Sequence, residues 1–401
     1  MDAGPLAATA EPRGLLAPPR GRLYGATYLI LALIFLGLFV EHLVEGDAVQ
    51  RGDRDFLSFY AASRLAWDGL AASVWNRAAH QAAEIAYLGA QRGYFAFYYP
   101  PTYLLTCLPL GALPLFGAYL AWVAATVALL AGVLRRAGLG WIGIAVLVIS
   151  PAGILTITTG QNAFLTTGLF VLAGLTLAGR PGVAGACFGL LTMKPQLGLM
   201  VVPALIAARR WGVLAWASLA TLAFAGAAAL VLGSESWSAF LAGRPAAQSG
   251  MEVELQIFKM QSVFAVARQL GAGTTLAYAA QAGAAVAVVV ALWPALRRRP
   301  GGMPEVAAMA AGGLLMTPFL QFYDLMLLTL PMIALAQSAS ADGVLPGERG
   351  GVLLLLLGPG LSYASGWAFG VSFGPLLAVL AVAMLRRRIL RPEAITPPAP
   401  G

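Results

Sequence analysis

The chain has 401 residues, of which 59% are hydrophobic and 10% charged, with mean hydropathy +0.79. That composition excludes a water-soluble globule, and repeated apolar runs match the roughly 30 Å hydrocarbon core of a bilayer. The formal charge of +8 does not make a nucleic-acid surface, because the basic residues fall in short clusters between apolar runs: Arg20/Arg22, Arg135/Arg136, Arg209/Arg210, Arg297/Arg298/Arg299 and Arg386/Arg387/Arg388. Such clusters anchor cytoplasmic loops and set orientation, and they offer no continuous basic face to a phosphate backbone.

In chain order, residues 1–22 are rich in Pro, Ala and Gly and read as a disordered cytoplasmic tail. Residues 23–44 are too long for a signal-peptide core and read as a retained first span. The loop 45–100 follows. In it, Phe56, Phe59, Ser63, Ala66, Trp67 and Leu70 form an apolar stripe at helical spacing over 56–70. Asn76, just after Trp75, can cap a second helix running to about Leu88. Two such helices suit the interface plane. The loop closes on Tyr94-Phe95-Ala96-Phe97-Tyr98-Tyr99-Pro100-Pro101, an aromatic belt with a rigid entry to the next helix.

Further spans are expected at 101–134, divisible at Pro114, then 139–158, 162–179, 183–194, 196–208 and 211–232. After a second large outer loop, 233–273, come 274–296, 303–319, 323–337, 350–366 and 371–385, with a tail at 389–401. The expected fold is therefore all-α and polytopic, with about twelve (11–13) crossings, both ends in the cytoplasm and 23–388 as one transmembrane domain. No internal repeat of the transporter type is visible.

This topology places the polar, non-basic islands on the outer side. Carboxylates are scarce, 17 in all, and one group lies in Asp53-Arg54-Asp55-Phe56-Leu57-Ser58-Phe59-Tyr60. Asp55 reads either as a helix cap or as a general base for an acceptor hydroxyl. Asp53 is its rival, and an Asp-x-Asp metal site is weakened by the intervening Arg54. Lys194, in Met193-Lys194-Pro195-Gln196, sits between two apolar helices. There it either snorkels to headgroups or, with Gln196, meets a phosphate. Gly160-Gln161-Asn162, after Thr156, Thr158 and Thr159, forms a polar turn that either caps the next helix or binds sugar hydroxyls. Tyr323-Asp324 with Gln321 opens a span, where Asp324 is equally a cap. Glu252, Glu254, Lys259, Gln261 and Ser262 lie in the second outer loop and singly read as solvated surface. His42 and His80 are read as interfacial. Cys107 and Cys187 both fall inside apolar segments, which argues against a disulfide or metal pair. No Ser/His/Asp triad, P-loop or zinc spacing is present, so no cofactor and no metal ligands are assigned.

Several of these pieces together resemble the polyprenyl-phosphate-sugar-dependent glycosyltransferases of the GT-C class. They are Asp55-Phe56-Leu57-Ser58-Phe59-Tyr60-Ala61-Ala62, Trp67-Asp68-Gly69, Tyr99-Pro100-Pro101-Thr102-Tyr103 and Gly160-Gln161-Asn162. Later come Gly185-Ala186-Cys187-Phe188-Gly189-Leu190, Lys194-Pro195-Gln196 and Gln261-Ser262-Val263. The likeness covers roughly residues 50–330 and points to family GT87, which includes bacterial α-1,2-mannosyltransferases.

The resemblance implies a multi-pass enzyme of the bacterial cytoplasmic membrane with its active site facing outward. It would move a mannose-like hexose, with inversion, from a polyprenyl-phosphate donor to an envelope glycolipid or polysaccharide. Asp55 maps onto the family's catalytic base. Lys194 and Gln196 are expected at the donor phosphate, and Tyr60, Arg64, Tyr99, Gln161, Asn162, Gln261, Ser262, Tyr323 and Asp324 at the substrates. Thr317-Pro318-Phe319-Leu320-Gln321-Phe322-Tyr323-Asp324 departs from the His-containing motif expected of the mannosyltransferase branch, leaving the sugar open. The competing readings are a lipid-linked sugar flippase or transporter, and a non-catalytic subunit of a polysaccharide assembly machine.

Overall fold

A computed structural model describes residues 55–88, 94–253 and 257–391, together with Gly37. The expected first span, both tail segments 1–22 and 392–401, His42, Asp53 and Glu254 lie outside the described residues. Among the described residues the regular structure is helical, with one isolated antiparallel bridge, Met260–Gln321. The α-helices are α1 Asp55–Trp67, α2 Arg77–Leu88, α3 Pro101–Cys107, α4 Leu115–Arg136, α5 Trp141–Val148, α6 Pro151–Thr159, α7 Ala163–Thr176 and α8 Pro181–Leu190. They continue as α9 Val201–Ala207, α10 Trp211–Leu232, α11 Glu235–Val253, α12 Val263–Gln269, α13 Thr274–Arg297 and α14 Gly302–Met316, ending with α15 Thr329–Asp342, α16 Glu348–Phe369 and α17 Gly374–Ile389.

Among the described residues five helical segments are long and apolar enough to cross a membrane: α4, α10, α13, α16, and the continuous stretch Phe322–Asp342 that ends in α15. A sixth arises if α5 and α6 count as one span bent by 60°. The bend has a local cause. Pro151 has no N–H to continue the preceding helix, and Ser150 Oγ instead caps a new one by accepting from Gly153 N at 3.2 Å. Ala163–Thr176, Pro181–Met193, Pro195–Ala207 and Gly302–Met316 are apolar but shorter. The chain is thus a multi-pass helical membrane protein, with five or six full-length membrane-capable segments among the described residues and short apolar helices between them; the expected first span lies outside those residues. Phe322–Asp342 is the central post, with 78% of its apolar window inside the protein against 17% for α10. Pro114 divides 101–134 as anticipated, standing at the N-cap of α4.

Two glycines determine how Lys194 is delivered. A Cβ on Gly185 would lie 2.8 Å from both Val213 O and Ala217 N, and one on Gly189 would lie 2.8 Å from Ala217 O. The Gly185–Gly189 stretch is therefore a small-xxx-small packing face that lets α8 rest directly on the backbone of α10. The chain then breaks at Lys194-Pro195 before α9.

The bundle has two unlike ends. Arg210 forms a two-point ion pair with Glu305 (3.1 and 2.9 Å), Arg298 Nη1 donates to Ile389 O (3.2 Å), and Arg388 pairs with Glu348. Gln337 Nε2 donates to Ala137 O (3.1 Å), beside Arg135 and Arg136. These contacts gather the basic clusters at one end. The opposite ends of the same helices carry the polar breaks.

Helix α1 corrects one expectation. It does not lie half-wet in an interface plane, because Phe56, Leu57, Ser58, Phe59, Tyr60, Ala61, Ala62, Ser63 and Leu65 are all buried. It stops at Trp67, and Trp67 and Leu70 are its exposed apolar residues. Its polar side faces the 3-10 turn Leu108–Ala112 instead of water, with Tyr60 OH on Leu113 O (3.0 Å), Ser63 Oγ on Leu108 O (3.3 Å) and Arg64 Nη1 on Gly111 O (2.8 Å). Asn76 Oδ1 accepts from Ala79 N at 3.1 Å and caps α2.

Replacing Gly189 with Val should push α8 off α10 and cost about 1–3 kcal/mol of stability, the usual penalty for overpacking. Thermal unfolding in detergent measures this, with Gly226→Ala, at an open position of the same α10, as the neutral control.

Candidate active site

A cavity of about 480 Å³ opens at the end of the bundle away from the arginines. Its walls come from Asp55, Ser58 and Phe59 of α1, the segment Tyr94–Pro100, Gln161 between α6 and α7, Lys194–Gln196 between α8 and α9, Phe240 of α11, Lys259, and the stretch Phe319–Tyr323. Each polar group therefore arrives at a helix end or a helix break. There the backbone leaves its regular bonding and the side chain points inward.

One half of the site is built on Asp55. Its Oδ2 accepts from Gln161 Nε2 at 2.8 Å, and Gln161 Oε1 accepts from Tyr99 OH at 3.1 Å. The tyrosine donor fixes the amide, so Gln161 must present its NH2 to the carboxylate. The contact depends on Gly160, which ends α6 with φ +63° and Cα so close to α1 that a Cβ would lie 2.6 Å from Phe56 Cβ. Asp55 is the first residue of α1, where the helix dipole favours its negative charge.

The other half is a buried ion pair. Lys194 Nζ lies 2.5 Å from Asp324 Oδ1, donates to Asn162 Oδ1 at 3.3 Å, and stands 4.6 Å from the centre of the Tyr323 ring. Both charges are essentially inaccessible, at 2% and 1% exposure. Asp324 Oδ2 also accepts from Gln321 N at 3.2 Å, so the carboxylate caps its own helix and neutralises Lys194 together. Gln161 and Asn162, adjacent in sequence, thus serve the two halves separately.

Among the expected site residues, Asp55, Tyr99, Gln161, Lys194, Gln196 and Tyr323 line the cavity. Asn162 and Asp324 lie directly behind it, bound to Lys194. Tyr60 and Arg64 do not reach it: both hold the turn 108–113, and Arg64 Nε also donates to Tyr87 OH (3.1 Å). Gln261 and Ser262 are fully buried outside the lining, against Ser362 and Pro318 respectively. Sequence reasoning read Lys259 as solvated surface, did not single out Ser58 and treated His80 as interfacial; Lys259 and Ser58 line the cavity. Among the described residues no three His, Cys, Asp or Glu side chains gather as a metal site.

His80 and Glu84 lie outside the lining, behind Ser58 and Phe95, which are in it. Both are buried one turn apart on α2, with Nδ1 and Oε1 3.6 Å from one another. His80 Nε2 meets Ser58 O (3.2 Å), which can only accept, so Nε2 carries the proton and Nδ1 faces Glu84 as a lone pair. Glu84 Oε2 accepts from Phe95 N (3.2 Å). Burial pushes the Glu84 carboxyl up to about 8 and the His80 imidazole down to about 4, so at neutral pH both are uncharged. Helix α2 thereby ties α1 to the segment 94–99, the two walls that flank Asp55.

The chain matches the model of glycosyltransferase family 87 over residues 97–331, more than half its length, and belongs to that family. No curated protein and no solved structure matches it. The matched stretch holds Tyr99, Gln161, Lys194, Gln196, Tyr323 and Asp324. Asp55 lies upstream of it and joins the site through Gln161.

Two outcomes follow from these couplings. Glu84 keeps a proton in the folded state that the unfolded chain loses above about 4.5, so its contribution to stability is complete below that pH and disappears as pH rises through about 8. The melting temperature in detergent should fall between pH 6.5 and 8.5, above the His80 window, and Glu84→Gln should flatten that slope. Separately, Asp324→Leu strands the Lys194 charge and should cost about 3–5 kcal/mol, whereas the double variant Lys194→Met/Asp324→Leu should recover most of it. Denaturation of the three proteins side by side checks the ordering.

Proposed function

We propose, from the premise of a family 87 membrane glycosyltransferase, that this cavity transfers a hexose from a polyprenyl-phosphate donor to a hydroxyl of an envelope glycan or glycolipid, with inversion at the anomeric carbon and on the outer face of the membrane. The observation that supports this most directly is the isolation of one carboxylate. Asp55 lies on the cavity wall with a neutral amide as its partner, and the nearby carboxylate behind the wall, Asp324, is occupied by Lys194.

A single base suffices for this chemistry. Asp55 takes the proton of the acceptor O–H as that oxygen forms a bond to C1. The C1–O bond to phosphate breaks on the opposite face, and its electron pair leaves with the lipid phosphate. Gln161 holds the carboxylate in one rotamer, and Tyr99 holds Gln161. A retaining mechanism would call for a second free carboxylate at about 5 Å to act as nucleophile. The aromatic lining from Tyr94, Tyr98, Phe240, Phe319 and Phe322 suits sugar faces and the first isoprenes of a lipid tail alike. An outward-facing site agrees with the arginine clusters at the far end, since basic loops stay in the cytoplasm.

Asp55→Asn should keep the hydrogen bond geometry with Gln161 but remove the base, lowering turnover by about 10²–10⁴-fold while the protein remains folded. Purified protein given a radiolabelled polyprenyl-phosphate hexose and membrane lipid provides the measurement, with released polyprenyl phosphate and labelled glycoconjugate counted together. Wild-type turnover in the variant rules out Asp55 as base. Absence of both products with the wild-type protein favours a flippase or an assembly subunit.

A further inference from the structure

The charges around the cavity do not match in one respect. Lys194 and Asp324 cancel, and Asp55 is the wall's free anion, which leaves Lys259 as a cation with no carboxylate within ion-pair distance among the described residues. Lys259 is half-buried, lines the cavity, and its recorded contact is the ring of Phe258, 6.0 Å from Nζ. A lysine in a wet loop needs no support. This one is held by an unusual amount of buried polar structure.

The turn Ile257–Lys259 and the two residues after it are fastened from three directions. Gln269 Nε2 donates to Ile257 O (2.8 Å), and Ser372 Oγ donates to Met260 O (3.0 Å) while Ser372 N donates to Gln269 Oε1 (2.8 Å). Gln261 N donates to Leu320 O (2.8 Å), and Ser362 Oγ donates to the buried Gln261 side chain. Ser262 Oγ reaches Pro318 O and caps α12 at Ala265 N (3.0 Å). Residues from α12, α16, the α16–α17 loop and the extended segment before Phe322 thus fix one short turn. Apart from Gln261 Nε2, which has no hydrogen-bond partner among the described residues, the buried polar groups of this network are bonded, and loss of those bonds would carry a large penalty, which favours this arrangement of the turn. The product of that arrangement is a fixed turn that sets the Lys259 backbone at the cavity, near Gln321–Tyr323 and apart from the α1 wall that bears Asp55.

We infer that Lys259 is the anchor for the phosphate of the donor lipid, and that Gln261, Gln269, Ser362 and Ser372 are positioning residues for it. A lysine on a fixed turn with no carboxylate partner binds a phosphate monoester or diester as a point charge without having to release an internal carboxylate, which Lys194 would have to do. Separation of the two free charges on different walls also keeps the donor phosphate away from the anionic base. This rests on the lipid-phosphate donor proposed above.

The test uses full-length protein in detergent and three probes that cannot react: a polyprenyl monophosphate without sugar, the matching polyprenol, and inorganic phosphate. Ligand-induced shifts in thermal unfolding, read as apparent Kd, report binding. The wild-type protein should prefer the monophosphate to the polyprenol by about tenfold or more. Lys259→Met should abolish that preference, Lys259→Arg should keep it, and Asp55→Asn should leave it intact. If the Lys259→Met variant retains the preference, or if the Lys194→Met/Asp324→Leu variant loses it while Lys259→Met does not, the anchor is not Lys259, although the donor class stands. A wild-type protein with no preference removes both the anchor and the lipid-phosphate donor. A shift as large with inorganic phosphate alone assigns the cation to a soluble phosphate ester and overturns the lipid source.

Discussion

A lysine ammonium buried to 2% exposure inside a membrane bundle is tolerable only if it is paired, and the architecture around the cavity follows from that requirement. Lys194 stands at a break between α8 and α9, Asn162 at one between α6 and α7, and Asp324 in the first turn of the helical stretch that follows the extended segment after α14. Three interruptions far apart in sequence must meet for the charge to be satisfied, and once they meet the helix ends around them enclose a space. Each broken helix on its own would expose backbone groups to lipid. Brought together, they line one polar-walled cavity, which is the setting in which such breaks are stable.

This gives the charged residues two separate tasks. Groups that are paired and buried, Lys194 with Asp324 and, at the other end, Arg210 with Glu305 and Arg388 with Glu348, set the relative positions of helices. Groups that carry an unmatched charge on the cavity wall, Asp55 and Lys259, are the ones available to substrate. Neutral amides connect the tasks: Gln161 holds Asp55 and Gln261 helps fix the turn of Lys259, each without cancelling the charge it positions. An arginine in place of Gln161 would donate to Asp55 as well, but would pair its charge.

The polar islands and their common side were legible in the sequence because carboxylates, amides and lysines are rare in so apolar a chain and therefore conspicuous. Their division of labour was not. Lys194 and Lys259 look alike as residues in outer segments, and the difference between them is a partner 130 residues away, Asp324, that no local pattern reveals. Tyr60 and Arg64 share a helix with Asp55 and were grouped with it for that reason, but a helix has more than one face and theirs meets the 108–113 turn. The apolar stripe of α1 was read as half of an amphipathic helix because its small residues, Ala61, Ala62 and Ser63, do not distinguish a wet face from a closely packed one. His80 and Glu84 were unreadable for a related reason. An i, i+4 His/Glu pair ordinarily marks a solvated surface, and only the ring packing of Tyr94 and Phe97 around His80 shows otherwise.

The same asymmetry separates transfer from transport. A carrier that alternates between two faces needs a binding site whose gates on both sides can open, and charges whose pairing can be exchanged as it does so. Here the cavity opens at one end, where the chain is interrupted at 160–162, 194–195 and 317–321. The other end is closed by two-point arginine–glutamate pairs and by side-chain bonds to the last carbonyls of neighbouring helices, as Arg298 makes to Ile389 O and Gln337 to Ala137 O. Opening that end would strand Glu305 and Glu348, both buried, without their partners, at a cost of several kcal/mol each. A bundle locked at one end and broken at the other offers its cavity from a single side.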